Sequence, residues 1–332
     1  MPTIPQTLLT ILADGQFHSG TALGCTIGCS RTAVWKAIQA LRVTGLEIYS
    51  VRGKGYRLVE AIELLNREAI LAAMNNRDAL KKLEIHHEID STNAYLLRAA
   101  KQGNISGHAC LAECQRGGRG RRGRQWVSPL GGNLYLSLVW QFHAGATALG
   151  GLSLAVAVAV VRALRKLGLH TVGLKWPNDI QVEGRKLAGI LLELAGEAAG
   201  PCTVVMGLGL NVRTPAAEMS TVAQPWTDLE SALGKIVARN ALAAGLLQHL
   251  TKAMQQFEAE GLAPFVDEWA DWDVLTGRNI TLDLPNGPVH GVARGIDESG
   301  ALLLASDGKL QRFHSGEVSV RLSAPTALAG RS

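Results

Sequence analysis

The 332-residue sequence predicts a multidomain α+β protein. It should hold a small helical unit ending in a basic hairpin, a central mixed β-sheet with helices on one side, and a short all-β unit folded as a small barrel. Three observations carry this prediction. In the first 60 residues, short apolar helical runs precede an alternating segment broken at Gly53-Lys54-Gly55. From about Leu83, strand and helix signals alternate, and tight turns such as Glu183-Gly184 join several strands, which favours a mixed sheet over a doubly wound one. After Trp272 the helical pattern stops, and Asn286-Gly287, Ser299-Gly300 and Asp307-Gly308 mark turns about ten residues apart. The predicted units are residues 1–62, 63–273 and 274–332.

In the first unit, Leu8, Leu9, Ile11 and Leu12 suggest one short helix, Thr21–Cys25 a second, and Thr26–Cys29 a turn. Ser30 can cap a third helix running to about Arg42, in which Val34, Ile38 and Leu41 form one apolar face. Arg31, Lys36, Gln39 and Arg42 fall on the solvent side of that helix. The run IYSVRGKGYRLV then alternates as a β-hairpin with a basic tip. Three helices and such a hairpin make the pattern of a winged helix-turn-helix, with the helix-turn-helix at about Gly20–Gln39. Ser30, Arg31, Thr32, Trp35, Lys36 and Gln39, with Arg52 and Lys54 on the wing, are the candidate DNA contacts. Cations suit phosphates, and polar side chains suit base edges in the major groove. Residues 1–60 hold six Lys/Arg against three Asp/Glu; an ordinary solvated face is the alternative.

A helix around Leu64–Met74 reads as a connector. The strand candidates that follow are Glu84–Ile89, Ala109–Cys114, Asn133–Trp140, Val172–Lys175, Ile180–Val182, Leu187–Leu194 and Cys202–Asn211. The helix candidates are Asn93–Lys101, Leu152–Leu167, Asn240–Glu260 and Pro264–Ala270. Ala144–Val161 carries no charge, but its glycines and alanines read as a buried helix of a soluble protein. With 47% hydrophobic and 18% charged residues, the chain can bury a sizeable core, and bulk disorder is excluded. The net charge of +5 permits an anionic partner. The five cysteines (25, 29, 110, 114 and 202) lack zinc-site spacing and read as small thiols of a reducing compartment. The first residues have no basic leader or cleavage pattern, so a cytoplasmic protein without membrane association is expected.

Five features carry chemistry. The densest is Arg116-Gly117-Gly118-Arg119-Gly120-Arg121-Arg122-Gly123-Arg124, five arginines and four glycines with no acid. Glycine lets the backbone approach an anion, and arginine supplies forked donors for phosphate. The loop matches neither a Walker A nor a dinucleotide-binding fingerprint; a solvated basic loop and an RNA-binding arginine tract stay open as alternatives. Next, in Lys175-Trp176-Pro177-Asn178-Asp179, Lys175 and Asp179 can face one cavity, as a cation for phosphate and a carboxylate for a metal. Third, Lys186 immediately precedes an apolar strand and points toward a core or a site, where an unpaired charge is costly. Fourth, Asp90-Ser91-Thr92-Asn93 lies at a strand-to-helix junction, where these side chains can cap the helix or donate to a ligand. Last, Gly207-Leu208-Gly209-Leu210-Asn211 is a glycine-spaced strand end that leaves room above the sheet.

Taken in order with Gln115, Trp126 and Gly184-Arg185-Lys186-Leu187-Ala188-Gly189, these motifs make the whole chain resemble the bacterial biotin protein ligases of the two-function kind, which are also biotin operon repressors. The resemblance implies an SH3-like barrel at the C-terminus. It also implies biotinyl-5′-adenylate formation from biotin and ATP with Mg²⁺, then transfer to a lysine of the biotin carboxyl carrier protein of acetyl-CoA carboxylase. The adenylate would also act as corepressor, promoting a homodimer on operator DNA. By the same resemblance, Lys186, Arg119, Arg121, Lys175 and Asp179 are the catalytic candidates, Asp179 also serving Mg²⁺. Biotin would meet Ser91, Thr92, Asn93, Gln115, Arg119, Gly120, Arg121, Trp126, Lys186, Gly189 and Gly207, the two last glycines leaving room for its tail. ATP or the adenylate would meet Arg121, Arg122, Arg124, Lys175, Asn178, Asn211 and Trp226. A non-catalytic biotin sensor and a lipoate-type ligase are the alternatives; the intact lysines argue against the first, and the N-terminal unit and arginine loop against the second.

Overall fold

The computed structural model describes residues 3–195, 201–314 and 319–322; residues 315–318 and 323–332 of the expected C-terminal unit lie outside the described residues. The first unit folds as predicted. Helices α1 (Ile4–Leu12), α2 (Gly20–Ile27) and α3 (Arg31–Val43) pack around Leu8, Leu12, Leu23 and Ile38, all fully buried. Ser19 and Ser30 cap α2 and α3 by accepting from the backbone N–H groups of Ala22 and Ala33 at 3.1 and 3.2 Å. Gly28 takes the left-handed conformation, φ 75°, that ends α2 and opens the turn. Strands β1 (Ile48–Val51) and β2 (Gly55–Leu58) form the antiparallel wing, which His18 extends by bridging to Tyr56.

Helix α4 (Arg67–Ala73), capped by Asn66, is shorter than the predicted connector helix. The central sheet has seven strands: β3 (Lys82–His86), β4 (His108–Ala112), β5 (Leu134–Phe142), β6 (Val172–Lys175), β7 (Asp179–Val182), β8 (Arg185–Ala195) and β9 (Cys202–Leu210). Their spatial order is β3-β4-β5-β9-β8-β7-β6, with β3 and β4 parallel and every other neighbouring pair antiparallel. Four more helices complete this unit after α5 (Thr92–Ala100): α6 (Leu152–Lys166), α7 (Leu229–Leu233), α8 (Arg239–Glu260) and α9 (Val266–Trp272). The main core lies between the sheet and the α6/α8 layer. Of the uncharged stretch only Leu152–Val161 lies in α6, whose valines and alanines are buried by this packing; residues 144–151, which hold all three of its glycines, form a turn and a short 3-10 segment ahead of the helix, since glycine disfavours a helix interior. Among the described residues no helix is long and apolar enough to cross a membrane.

The expectation of helices on one side needs correction. Helix α5 lies on the opposite face, where Leu96 packs with Cys110, Ala112, Val139 and Val205. The cause is the parallel β3–β4 pair: a hairpin cannot join parallel strands, so the chain crosses over through α5. The last unit is a five-stranded antiparallel sheet of β10 (Asn279–Leu284), β11 (Gly287–Ile296), β12 (Leu302–Ser306), β13 (Lys309–Phe313) and β14 (Ser319–Leu322), in the order β13-β12-β11-β10-β14. Among the described residues β13 and β14 are its edges, and the expected barrel closure is not seen.

Two contacts that the sequence did not suggest tie the first unit, and the connector that follows it, to the sheet. Leu130, just after the arginine-rich segment, is buried in the N-terminal core with Leu9 and Val34. Beside it, Arg239 and Glu113 form an ion pair at 2.9 Å, each side chain 4% exposed. Arg239 also donates to the carbonyls of Glu63, Gly131 and Asn133, and Glu113 accepts from Leu65 N–H.

Candidate functional site

A cavity of about 1030 Å³ opens on the α5 face of the sheet, bounded by β8, β9, the arginine-rich loop and residues 219–226. Strand alternation puts Gly189, Leu191, Gly207 and Gly209 on its floor. By that alternation Lys186 should share the opposite, helix-packed face with Ala188 and Ile190. It does not, because the β7–β8 register slips: Gln181 faces Lys186, and Ile180 faces Ala188, so Leu187 is an extra residue. This bulge sends Leu187 into the core, fully buried, and turns Lys186 toward the cavity. There its Nζ lies 2.6 Å from Asp179 Oδ1 and 5.6 Å from the centre of the Trp126 ring.

The floor glycines hold protein side chains. A Cβ on Gly189 would stand 3.0 Å from Trp126 Cζ3, and one on Gly209 would stand 2.7 Å from Trp126 Nε1. A Cβ on Gly207 would press into the Asn93 amide. The room these glycines leave is therefore taken up by the indole of Trp126 and the amide of Asn93, which become part of the floor on which a ligand would lie.

At one end of the cavity, Ser91 caps α5, accepting from Ala94 N–H at 3.4 Å. The first turn of α5 then presents Thr92 and Asn93. Gln115 Oε1 accepts from Thr92 N–H at 2.9 Å and lies 3.1 Å from Thr92 Oγ1, while Gln115 Nε2 donates to Ser128 at 3.3 Å. Ser137 Oγ lies 2.7 Å from Thr92 Oγ1 and 2.5 Å from Asn93 Oδ1. Asn93 Nδ2 donates to Glu193 Oε2 at 2.8 Å. This end is a buried, interlocked set of donors and acceptors suited to a polar, uncharged head group.

The other end is cationic. Gly117 N–H binds Asp90 O, Trp126 N–H binds Gly118 O, and Gly120 N–H binds Arg124 O at 2.7–2.9 Å, so the arginine-rich segment closes into a loop. Its turn needs left-handed backbone at Arg122 and Gly123, φ 58° and 70°. The arginines diverge. Arg116 turns outward to Glu88 at 2.7 Å, while Arg119 turns inward to Glu193 at 3.2 Å. Arg121 Nη1 donates to Asn178 Oδ1 at 3.2 Å, and Arg122 and Arg124 are exposed at the rim. Burial lowers the Arg121 pKa, with Asp179 opposing the shift and Arg122 and Arg124 adding to it. Burial likewise lowers Lys175, again opposed by Asp179. Asn178 is held by Ile190, donating from Nδ2 to its carbonyl at 2.6 Å. Asn211, also on the cavity wall, donates to Thr227 O at 3.1 Å, and Lys186 exchanges backbone bonds with Pro225 and Thr227; together these hold Trp226 at the cavity edge.

All the sequence-predicted ligand residues therefore line this cavity. Ser137 and Glu193 escaped notice, although each is a polar residue in an apolar strand run, a pattern that signals a required partner. Val320 and Arg321 of β14 also line the cavity, a contribution that no local pattern announces. The candidate DNA contacts lie apart, on the first unit: Ser30 is spent as a cap, Trp35 is 52% exposed on α3, and Arg52 and Lys54 are exposed on the wing. Arg57, unforeseen, stacks between Phe17 and Tyr49 at 5.1 and 5.3 Å. The five cysteines are free. Among the described residues no cluster of three or more His, Cys, Asp or Glu could hold a metal ion.

Three families match along the chain in this order: an HTH domain at residues 6–57, the biotin/lipoate A/B protein ligase family at 86–211, and the biotin protein ligase C-terminal domain at 275–321. The bifunctional ligase/repressor BirA of Escherichia coli (strain K12) is 45% identical over 96% of this chain and 98% of its own. The protein of that name from Bacillus subtilis (strain 168) is 32% identical over 92% and 94%. The solved biotin protein ligase from Aquifex aeolicus in complex with biotin and ATP superposes with a TM-score of 0.63 at 28% identity, covering 74% of this chain and 100% of that one. With relatives matched over nearly their full length, and a helix-turn-helix, ligase and C-terminal domain in one order, the chain belongs to the biotin/lipoate A/B protein ligase family, in its bifunctional ligase/repressor form.

Proposed function

We propose that the chain is an ATP-dependent biotin protein ligase and a biotin-responsive transcriptional repressor of biotin biosynthesis genes. One observation carries the reading: a single cavity joins a neutral donor–acceptor network (Thr92, Asn93, Gln115, Ser137) to a cationic end (Arg121, Lys175, Lys186). Biotin has the matching polarity, a neutral ureido head at one end and a carboxylate at the other. That carboxylate attacks the α-phosphorus of ATP and pyrophosphate leaves, giving biotinyl-5′-adenylate. Two anions meet in this step, so fixed cations at Arg119, Arg121 and Lys186 stabilise the charge that develops. Trp126 forms the apolar floor beneath the biotin chain, and the backbone of Gly120 lies beside it. Lys175, Asn178, Arg122, Arg124, Asn211 and Trp226 serve the nucleotide. In the second step the acceptor lysine's amine attacks the mixed anhydride carbonyl, AMP leaves, and the amine loses its proton. The anhydride is already activated, so the site has only to orient the amine.

Asp179 is the carboxylate proposed for Mg²⁺. It is already paired with Lys186 at 2.6 Å, so the ion would be held mostly by substrate phosphates, with Asp179 shared between it and Lys186, and not by an all-protein cage. Bound there, Mg²⁺ would neutralise part of the triphosphate charge.

The partners follow from the same reading: the biotin carboxyl carrier protein of acetyl-CoA carboxylase, operator DNA, and a second copy of the chain once liganded. A winged helix covers one half-site, so a palindromic operator takes two. The working divisions are residues 1–62, 63–273 and 274–332, the last a small SH3-like barrel, in a cytoplasmic protein. Incubation with ATP, labelled biotin and a carrier domain tests the reading. Label transfer dependent on ATP supports it; binding of biotin without transfer makes the chain a sensor, and transfer of lipoate in preference makes it a lipoate-type ligase. Sedimentation with and without the adenylate tests the dimer, and equal dimerisation in both states defeats it.

A further inference from the structure

We infer that Glu193 is a positioning residue for the biotin half of the site: its carboxylate fixes the Asn93 amide and clamps Arg119, latching the arginine-rich loop across the cavity. The inference rests on the biotin-ligase reading above. Glu193 follows Gly189 and Leu191 along the cavity face of β8 and sits opposite Val205 of β9. Its neighbours in sequence are leucines, and its side chain is only 23% exposed. A carboxylate so placed needs partners, and both of its partners belong to the site.

The first partner is Asn93. Its Oδ1 is committed to the Ser137 hydroxyl at 2.5 Å, so its Nδ2 must face the other way, where it meets Glu193 Oε2 at 2.8 Å and Leu191 O at 3.3 Å. Glu193 thus decides which edge of the Asn93 amide a ligand meets. The second partner is Arg119, whose Nη2 lies 3.2 Å from Oε1 and 3.3 Å from Oε2. The loop holds five arginines within nine residues and no acid, so its internal repulsion is relieved only by anions supplied from elsewhere. Glu88 draws Arg116 outward, and Glu193 draws Arg119 inward over the sheet. Removing the inward anchor releases the loop at the biotin end. The nucleotide end has separate ties, Arg121 to Asn178 and Lys186 to Asp179, and should be spared.

The test uses the full chain with Glu193→Gln, which keeps an oxygen acceptor for Asn93 and removes the charge that holds Arg119. Biotin release is followed by tryptophan fluorescence in stopped flow, alongside KM for biotin and for ATP. The expected result is a biotin off-rate and biotin KM raised about tenfold, with the ATP KM within about twofold. Salt should weaken biotin binding in the parent protein more than in the variant. Arg119→Gln approaches the latch from the loop side and should raise the biotin off-rate similarly, which covers the case of a Glu193 variant that does not fold. An unchanged biotin off-rate in a folded variant overturns the inference. So does equal loss of biotin and ATP binding, which would mark Glu193 as a general prop of the sheet. If the parent protein itself does not bind biotin, the ligase reading falls; if it does and the variants release biotin at the parent rate, only the Glu193 assignment falls.

Discussion

Replacing Lys186 by alanine should nearly abolish adenylate formation while leaving the fold standing. The side chain is 20% exposed, and its ammonium sits 2.6 Å from a carboxylate that is itself 18% exposed and against the face of Trp126. The charge is thus already oriented and largely out of water, with no reorganisation left for the reaction to meet. Removing one such preorganised donor costs about 10²–10³ in kcat, or about 3–4 kcal/mol. An effective dielectric of about 20 gives the same scale, about 4 kcal/mol for unit charges about 4 Å apart. The orphaned Asp179 keeps Lys175 and Arg121 as electrostatic neighbours, so the loss of stability should be smaller than for a deeply buried, fully isolated acid. The assay is biotin-dependent pyrophosphate release at saturating ATP, paired with single-turnover transfer from preformed biotinyl-adenylate. The first should fall by at least about a hundredfold and the second by less, because the anhydride arrives activated. Pyrophosphate release near the parent rate from a folded Lys186→Ala variant would refute both the assignment and the argument from the Leu187 bulge that aims the lysine.

Gly209→Ala should displace Trp126 from the cavity floor and weaken biotin binding more than Gly189→Ala, whose added methyl has more space; equal effects in a binding titration would contradict the packing. Arg239→Met breaks a buried ion pair and strands Glu113, so thermal and denaturant unfolding should report a loss of about 3–5 kcal/mol, and an unchanged midpoint would deny the pair its structural role. The Arg98 guanidinium bound to Asp90 holds that carboxyl at about 2, below the ordinary aspartate value of 3.8. Its folded pKa is depressed, so the small stabilisation of this exposed pair is present above that ordinary value and is lost as pH falls through about 2. Arg98→Ala should return Asp90 toward the ordinary range in a carboxyl NMR titration, and a titration still near 2 would assign the shift to another cause. Arg52→Ala with Lys54→Ala on the wing should weaken DNA binding across sequences alike and reduce the salt slope by about two; an unaltered slope would place the wing away from the phosphates.

The elements that obey short-range rules were legible in the chain. Ser30 before an apolar-faced run with glycine behind marks a helix start, and alternation around Gly53-Lys54-Gly55 marks a hairpin, because caps and turns are decided by residues a few positions apart. The motifs from Asp90 to Asn211 were legible in the same way, as residue types in a fixed order that name a family. What those motifs do in space depended on pairing between distant strands. Plain alternation sends Lys186 to the wrong face of β8, and only the slip against Gln181, set by the β7 partner, turns it toward Asp179. The glycines of β8 and β9 suggest empty space until Trp126 and Asn93 are seen lying on them. Ser137 and Glu193 are single polar residues in apolar strands, and their partners come from a helix and a loop more than 40 residues away. The crossing of α5 to the far face, the burial of Leu130 in the N-terminal core and the Arg239–Glu113 pair have the same origin. Backbone propensity and capping act over one or two turns of chain, whereas register, bulges and buried ion pairs are settled by which surfaces meet, and that is decided only when the whole sheet has formed.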